Sequence, residues 1–161
     1  MEKGQIMIIC GEGKGKTSAA IGRGISGASK GKSVIIIRFL KGKVKEKDEF
    51  IKRLEPEIKV FSFEKWDVDY ESLSPEEQQE EALNIRNGIN FARKVMSTDG
   101  CAILILDVVL VLVDRGNITE EELTALVEAK DESMELVLTG INMCDSLYSY
   151  ADNVVQIAAL K

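Results

Sequence analysis

Short apolar runs alternate with stretches of helical spacing along the whole chain. Gln5 to Cys10 predicts a buried strand, followed by a glycine-rich loop and a helix from about Thr17 to Lys30. Ser33 to Phe39 carries the β-branched run Val34-Ile35-Ile36-Ile37 and predicts a second strand. The charged segment from Lys41 to Leu54 predicts a loop and a short helix, and Glu57 to Phe63 a third strand. Ser74-Pro75-Glu76-Glu77 predicts a helix start, with Ser74 as cap, Pro75 in the first turn and Glu77 closing a capping box. Ala82, Ile85, Ile89, Ala92 and Met96 then recur at spacings of three and four, the buried face of that helix. Ala102 to Leu106 predicts another strand. Thr119 and Glu122 form a second capping box, opening a helix to about Ala129. Glu135 to Leu138 and Asn153 to Ile157 predict two more strands, with a short helix between Asn142 and Tyr150.

Strands that are apolar on both faces and separated by helices predict an α/β fold, a parallel sheet covered by helices on both faces. With 161 residues, two prolines and no linker-like stretch, the expectation is one domain over residues 1–161. The run from Val108 to Val113 leaves two readings open. Exposed, it forms a patch suited to a subunit interface; buried, it belongs to the core.

Composition narrows the chemistry. The chain has no histidine, which removes imidazole general bases, Ser-His-Asp and Cys-His catalysis, and His-ligated metals. Its three cysteines, Cys10, Cys101 and Cys144, lack metal-ligand spacing and fit reduced thiols in a cytoplasmic protein. A net charge of −6 argues against a broad nucleic-acid surface. No secretory leader is evident, and the apolar stretch from Cys101 to Val113 is too short to span a bilayer, so no membrane partner is expected.

What remains is phosphate chemistry. Gly11-Glu12-Gly13-Lys14-Gly15-Lys16-Thr17 follows a strand and opens a helix, the setting of a P-loop. Glycines let the backbone approach phosphate oxygens, and a helix N-terminus adds partial positive charge. Lys16 reaches the outer phosphates, Thr17 offers a hydroxyl to Mg²⁺, and Ser18 follows in the first turn. The common spacing would put glycine at position 10, where Cys10 stands, and Lys14 is an additional cation inside the loop. A ligand-free strand-to-helix turn is the alternative. Gly22, Gly24 and Gly27 in the following helix predict a close approach to the sheet. The apolar strand Ile103 to Leu106 ends in Asp107, placed for a Mg²⁺ shell or for capping a strand end. Val108 follows, where many ATP-hydrolysing enzymes carry a water-orienting glutamate. No N-K-x-D guanine-reading motif is present.

In order along the chain, Gly11 to Thr17, Arg38-Phe39-Leu40-Lys41-Gly42, Leu106-Asp107-Val108, Thr139-Gly140-Ile141 and Tyr150 to Val154 resemble the motifs of the P-loop corrinoid adenosyltransferases. The resemblance implies a P-loop NTPase-like (RecA-like) fold and transfer of the 5′-deoxyadenosyl group of ATP to Co(I) of a corrinoid, with triphosphate leaving. It implies ATP contacts from Gly11 to Ser18 and from Lys41, catalytic roles for Lys14, Lys16 and Asp107, and Mg²⁺ on Thr17 and Asp107. It implies Phe63 and Trp66 against the corrinoid, although a lone tryptophan also suits a core or an interface. A homodimer and an electron-donating reductase are the implied partners. Three positions depart from the family pattern: Val108 for glutamate in L-D-E, Ile141 for arginine in T-G-R, and Arg38 for glutamine in Q-F-x-K-G. They leave open a weakened relative that binds ATP or corrinoid as a regulatory module. Another small P-loop phosphotransferase is a third reading.

Overall fold

A computed structural model of the chain describes residues 3–39, 45–64 and 70–161. Six strands form one parallel sheet: β1 (Ile6–Cys10), β2 (Val34–Arg38), β3 (Ile58–Ser62), β4 (Ile103–Asp107), β5 (Glu135–Thr139) and β6 (Asn153–Gln156). Their spatial order is β3-β2-β4-β5-β1-β6. Helices α1 (Lys16–Ala28), α2 (Lys45–Lys52), α3 (Pro75–Ser97), α4 (Val109–Asp114) and α5 (Glu120–Glu128) make the connections.

The pleat of β4 shows why both faces are apolar. Ile103 and Ile105 join Ala20 and Ile21 of α1 and Ile51 of α2 on one side. Leu104 and Leu106 join Ile85, Ile89 and Met96 of α3 and Leu123 and Leu126 of α5 on the other. Alternate residues of a strand point to opposite faces, so two cores need an unbroken apolar strand. Two of the three α1 glycines have the packing reason expected of them. A Cβ on Gly27 would lie 2.1 Å from Ile103 Cδ1, and one on Gly24 would lie 3.2 Å from Ile105 Cδ1. Gly22 faces open space, so close approach does not explain it.

Both capping boxes form. Glu77 N donates to Ser74 Oγ at 3.2 Å and Ser74 N donates to Glu77 Oε1 at 3.2 Å. Thr119 and Glu122 repeat the exchange at 3.0 and 3.4 Å. Each cap satisfies amides that the first turn leaves without helical partners and contributes about 1 kcal/mol. Between Asn142 and Tyr150 the expected helix is only a 3₁₀ turn, Asp145–Leu147.

Val108 to Val113 resolves toward the core. Val109, Leu110 and Leu112 are fully buried in α4. The helix fits tightly against the end of β5, where a Cβ on Gly140 would lie 2.2 Å from Leu110 Cβ. The exposed-patch reading therefore fails, and with it the sequence argument for an interface there.

All three cysteines are buried and free. Burial pushes the thiols of Cys101 and Cys144 up to about 11. At pH 8 both are expected to resist a thiol-reactive disulfide reagent in the folded protein and to react after urea is added. Fast labelling of either in native protein would contradict this burial.

Among the described residues no helix is long and apolar enough to cross a membrane.

Candidate functional site

The glycine loop lies at the C-terminal ends of the parallel strands, where open α/β sheets bind ligands. Two of its glycines are tied to protein rather than aimed outward. Gly11 N donates to Ile141 O at 2.8 Å, and Gly13 N donates to Ile157 O at 2.9 Å. Gly11 has φ 108 and Gly15 φ 104, conformations that favour glycine. Gly15 is also the N-cap of α1, and no side chain hydrogen-bonds at that cap. The first-turn amides and the positive end of the helix dipole are thus directed at the cleft, the arrangement that receives an anion.

The cleft encloses about 390 Å³ and is lined by Lys14, Gly15, Lys16, Thr17, Ser18, Val108, Val111, Thr139, Gly140 and Ile141. Gly11, Glu12 and Gly13 shape the loop without lining the cleft. Lys16 Nζ curls over the loop and donates to Gly13 O at 2.8 Å. Lys14 is exposed beside it.

Asp107 is the hub beneath the loop. Thr17 Oγ1 donates to its two carboxylate oxygens at 2.9 and 3.1 Å, which joins α1 to the end of β4. Thr139 Oγ1 donates to Asp107 Oδ1 at 2.7 Å, and Val108 N donates to Thr139 Oγ1 at 2.7 Å. Arg38 Nε stands 3.9 Å from Asp107 Oδ2. Thr139 was not among the residues expected at the site beyond its place in T-G-I. The usable signal was that it ends a buried strand at the same sheet edge as Asp107.

Val108 sits at φ 70 and caps α4. A β-branched residue in this region is strained by about 1–3 kcal/mol. The surrounding contacts hold it there, through its amide on Thr139 and its successors Val109 and Leu110 in the core. Val108, Val111 and Ile141 give the cleft an apolar part of its lining beside the lysines of the loop.

The remaining sequence expectations lie elsewhere. Phe63 is outside the cleft. It packs between Phe39 and Phe91, with ring centroids at 6.5 and 5.8 Å, and Phe61 packs tilted against Phe91 at 4.8 Å. Its amide donates to Arg38 O at 3.0 Å, which puts it two strands from Asp107 at the same sheet edge. Lys41 and Trp66 lie outside the described residues.

The donor set at the loop fits Mg²⁺. A hydroxyl and a carboxylate in contact are hard oxygen ligands, and Mg²⁺ keeps several waters while taking one or two carboxylates and phosphate oxygens. Among the described residues no cluster of three or more cysteines and carboxylates supplies a cage for a metal by itself.

The family model described as ATP:corrinoid adenosyltransferase BtuR/CobO/CobP matches residues 2–161. The chain belongs to the ATP:corrinoid adenosyltransferase family. Relatives within reach are distant. The corrinoid adenosyltransferase of Pseudomonas aeruginosa is 21% identical over 160 residues, covering 99% of this chain and 77% of that protein. The corrinoid adenosyltransferase of Escherichia coli is 22% identical over 160 residues, covering 99% of this chain and 79% of that protein. An uncharacterized protein of Nostoc sp. is 27% identical over 159 residues, and the match spans 42% of its length. Membership in the adenosyltransferase family agrees with the all-parallel sheet and with the position of the loop after β1.

Proposed function

We propose that residues 1–161 form one nucleotide-binding domain that transfers the 5′-deoxyadenosyl group of ATP to Co(I) of a corrinoid. The observation that carries this reading is the end-to-end family match on a chain that keeps Lys14, Lys16 and Thr17 on one cleft with Asp107 hydrogen-bonded to Thr17 beneath it. Co(I) attacks the ribose 5′ carbon, the cobalt–carbon bond forms, the carbon–oxygen bond breaks, and triphosphate leaves with the electron pair. No proton moves to or from a protein base, which suits a chain without histidine.

The protein's work is then electrostatic and positional. Lys14, Lys16 and the amides of the first turn of α1 bind the triphosphate and stabilise charge growing on its leaving oxygen. Ser18 extends the same wall, and Glu12 lies at the loop's outer edge. Thr17 and Asp107 would hold Mg²⁺, which supplies further charge neutralisation for phosphate oxygens. Thr139 fixes the Asp107 carboxylate. Lys41 is assigned to ATP, and Phe63 and Trp66 to the corrinoid. A cytoplasmic homodimer served by a reductase completes the proposal.

The test is an oxygen-free mixture of protein, MgATP and chemically reduced cobalamin. Loss of the Co(I) absorbance with appearance of a light-sensitive adenosyl product is the expected outcome. Val108 and Ile141 in the cleft wall favour one second reading, a relative that binds but turns over weakly. Absence of product with intact ATP binding would select it. Recovery of turnover by the double change Val108→Glu, Ile141→Arg would then locate the defect in that wall.

A further inference from the structure

A second cavity, of about 360 Å³, opens at the N-terminal ends of the parallel strands, at the opposite end of the sheet from the glycine loop. Lys3, Gln5, Arg23, Lys32, Ser133 and Glu135 line it, and the one apolar side chain in its lining is that of Ala102. Lys3 and Lys32 are exposed, and neither ammonium has a partner among the described residues. Arg23, on α1, turns one edge of its guanidinium to β5. Its Nε donates to Glu135 Oε1 at 2.7 Å, and Nη2 stands 2.7 Å from the same oxygen. A guanidinium has five N–H donors, so the other edge is left for a ligand. Just outside the lining, Asp131 accepts from the Ser133 amide and hydroxyl at 2.8 and 2.6 Å. The Lys130 ammonium offsets that charge, donating to the carbonyls of Met134 and Asp131 at 2.7 and 2.8 Å. Bracing of α1 against β5 accounts for Arg23 and Glu135, but not for Lys3 and Lys32. Three cations thus share the lining with one carboxylate, in a chain whose net charge is −6. Such a local reversal of charge in a concave surface concentrates anions.

We propose that this cavity is a second anion site, which takes a small inorganic polyphosphate, pyrophosphate or triphosphate, on Lys3, Arg23 and Lys32. The excess of two positive charges matches a multiply charged anion better than a single carboxylate. The free edge of the Arg23 guanidinium suits two phosphate oxygens. Sites for organic ligands are lined mainly by apolar and aromatic side chains, and this one offers only Ala102 to a base or a ribose. An anion without an organic body is therefore the ligand it fits. The leaving group of the proposed transfer reaction belongs to this class, but the inference stands on the cavity alone and does not need that reaction.

Sodium pyrophosphate titrated into the ¹⁵N-labelled full chain, at constant low ionic strength and followed by amide shifts in NMR, reads the two ends of the sheet separately. The amides of Gln5, Ala102 and Ser133 are expected to shift and saturate, with a dissociation constant below about 1 mM. Shifts from Gly13 to Ser18 report the glycine loop in the same spectra. In the double variant Lys3→Gln, Lys32→Gln, binding at the first set of amides is expected to weaken by about tenfold or more. The loop response stays as in wild type. Both lysines are exposed, so the rest of the spectrum should be unmoved, which separates loss of charge from damage to the fold. Saturable shifts confined to the loop overturn the proposal. So do shifts at Gln5, Ala102 and Ser133 that grow without saturating, that sodium chloride reproduces, or that persist unchanged in the double variant. ADP saturating these three amides at lower concentration than pyrophosphate overturns the assignment to an inorganic anion.

Discussion

Lys16→Ala lowers ATP affinity about a hundredfold while leaving the fold intact. The side chain is half-buried, and its hydrogen bond is to the carbonyl of Gly13 at 2.8 Å, within its own loop. A phosphate oxygen entering the cleft carries a full negative charge and displaces that neutral carbonyl as the partner. Charge-assisted bonds of this kind are about twice as strong as neutral ones. With Lys16 gone, Lys14 is the lysine left in the cleft wall among the described residues. Calorimetry reads the affinity and a thermal melt reads the fold. Unchanged affinity would remove the P-loop assignment, and a large drop in melting temperature would reassign Lys16 to structure.

The largest effect on stability is expected from Gly11→Ala, at about 3 kcal/mol. Two costs coincide there. The backbone has φ 108, and an added Cβ would lie 2.4 Å from Ile157 O and 3.0 Å from Gln156 Cγ. In a chain of this size the melting temperature should fall by about 6–12 °C. Gly31→Ala separates the two costs. It has φ 84, but a Cβ there meets nothing within 4 Å, so only the conformational cost of about 1–2 kcal/mol remains. Equal losses at the two sites would show that the contact with Ile157 contributes nothing.

Much of this fold could be read from sequence because its signals are local. The strands are apolar on both faces, and two capping boxes mark the starts of α3 and α5 within a residue. Helix α4 was illegible for a physical reason. Val109-Leu110-Val111-Leu112-Val113 has no helical polarity, its N-cap is a strained valine, and no side-chain cap announces it. Only its fit against Gly140 and the core makes it helical, and that contact joins residues thirty positions apart. The site was legible in the same measure. Lys14 to Ser18 follow one another and can be recognised together. The group around Asp107 draws Arg38, Thr17 and Thr139 from three other elements, and their meeting depends on sheet order and register. Phe63 was assigned by its place after β3, which could not reveal that Phe39 and Phe91 already flank it.

The pinning of Gly11 and Gly13 separates what each part of the loop records over evolutionary time. Both amides are held by carbonyls of the chain, at Ile141 and Ile157, and a side chain at either glycine would strike Ile157. A descendant that stopped binding nucleotide could lose Lys14, Lys16 and Thr17 freely. It would still need both glycines in order to fold. In a distant relative, glycines at these two places therefore testify to shared architecture, and only the lysines and the threonine testify to a shared ligand.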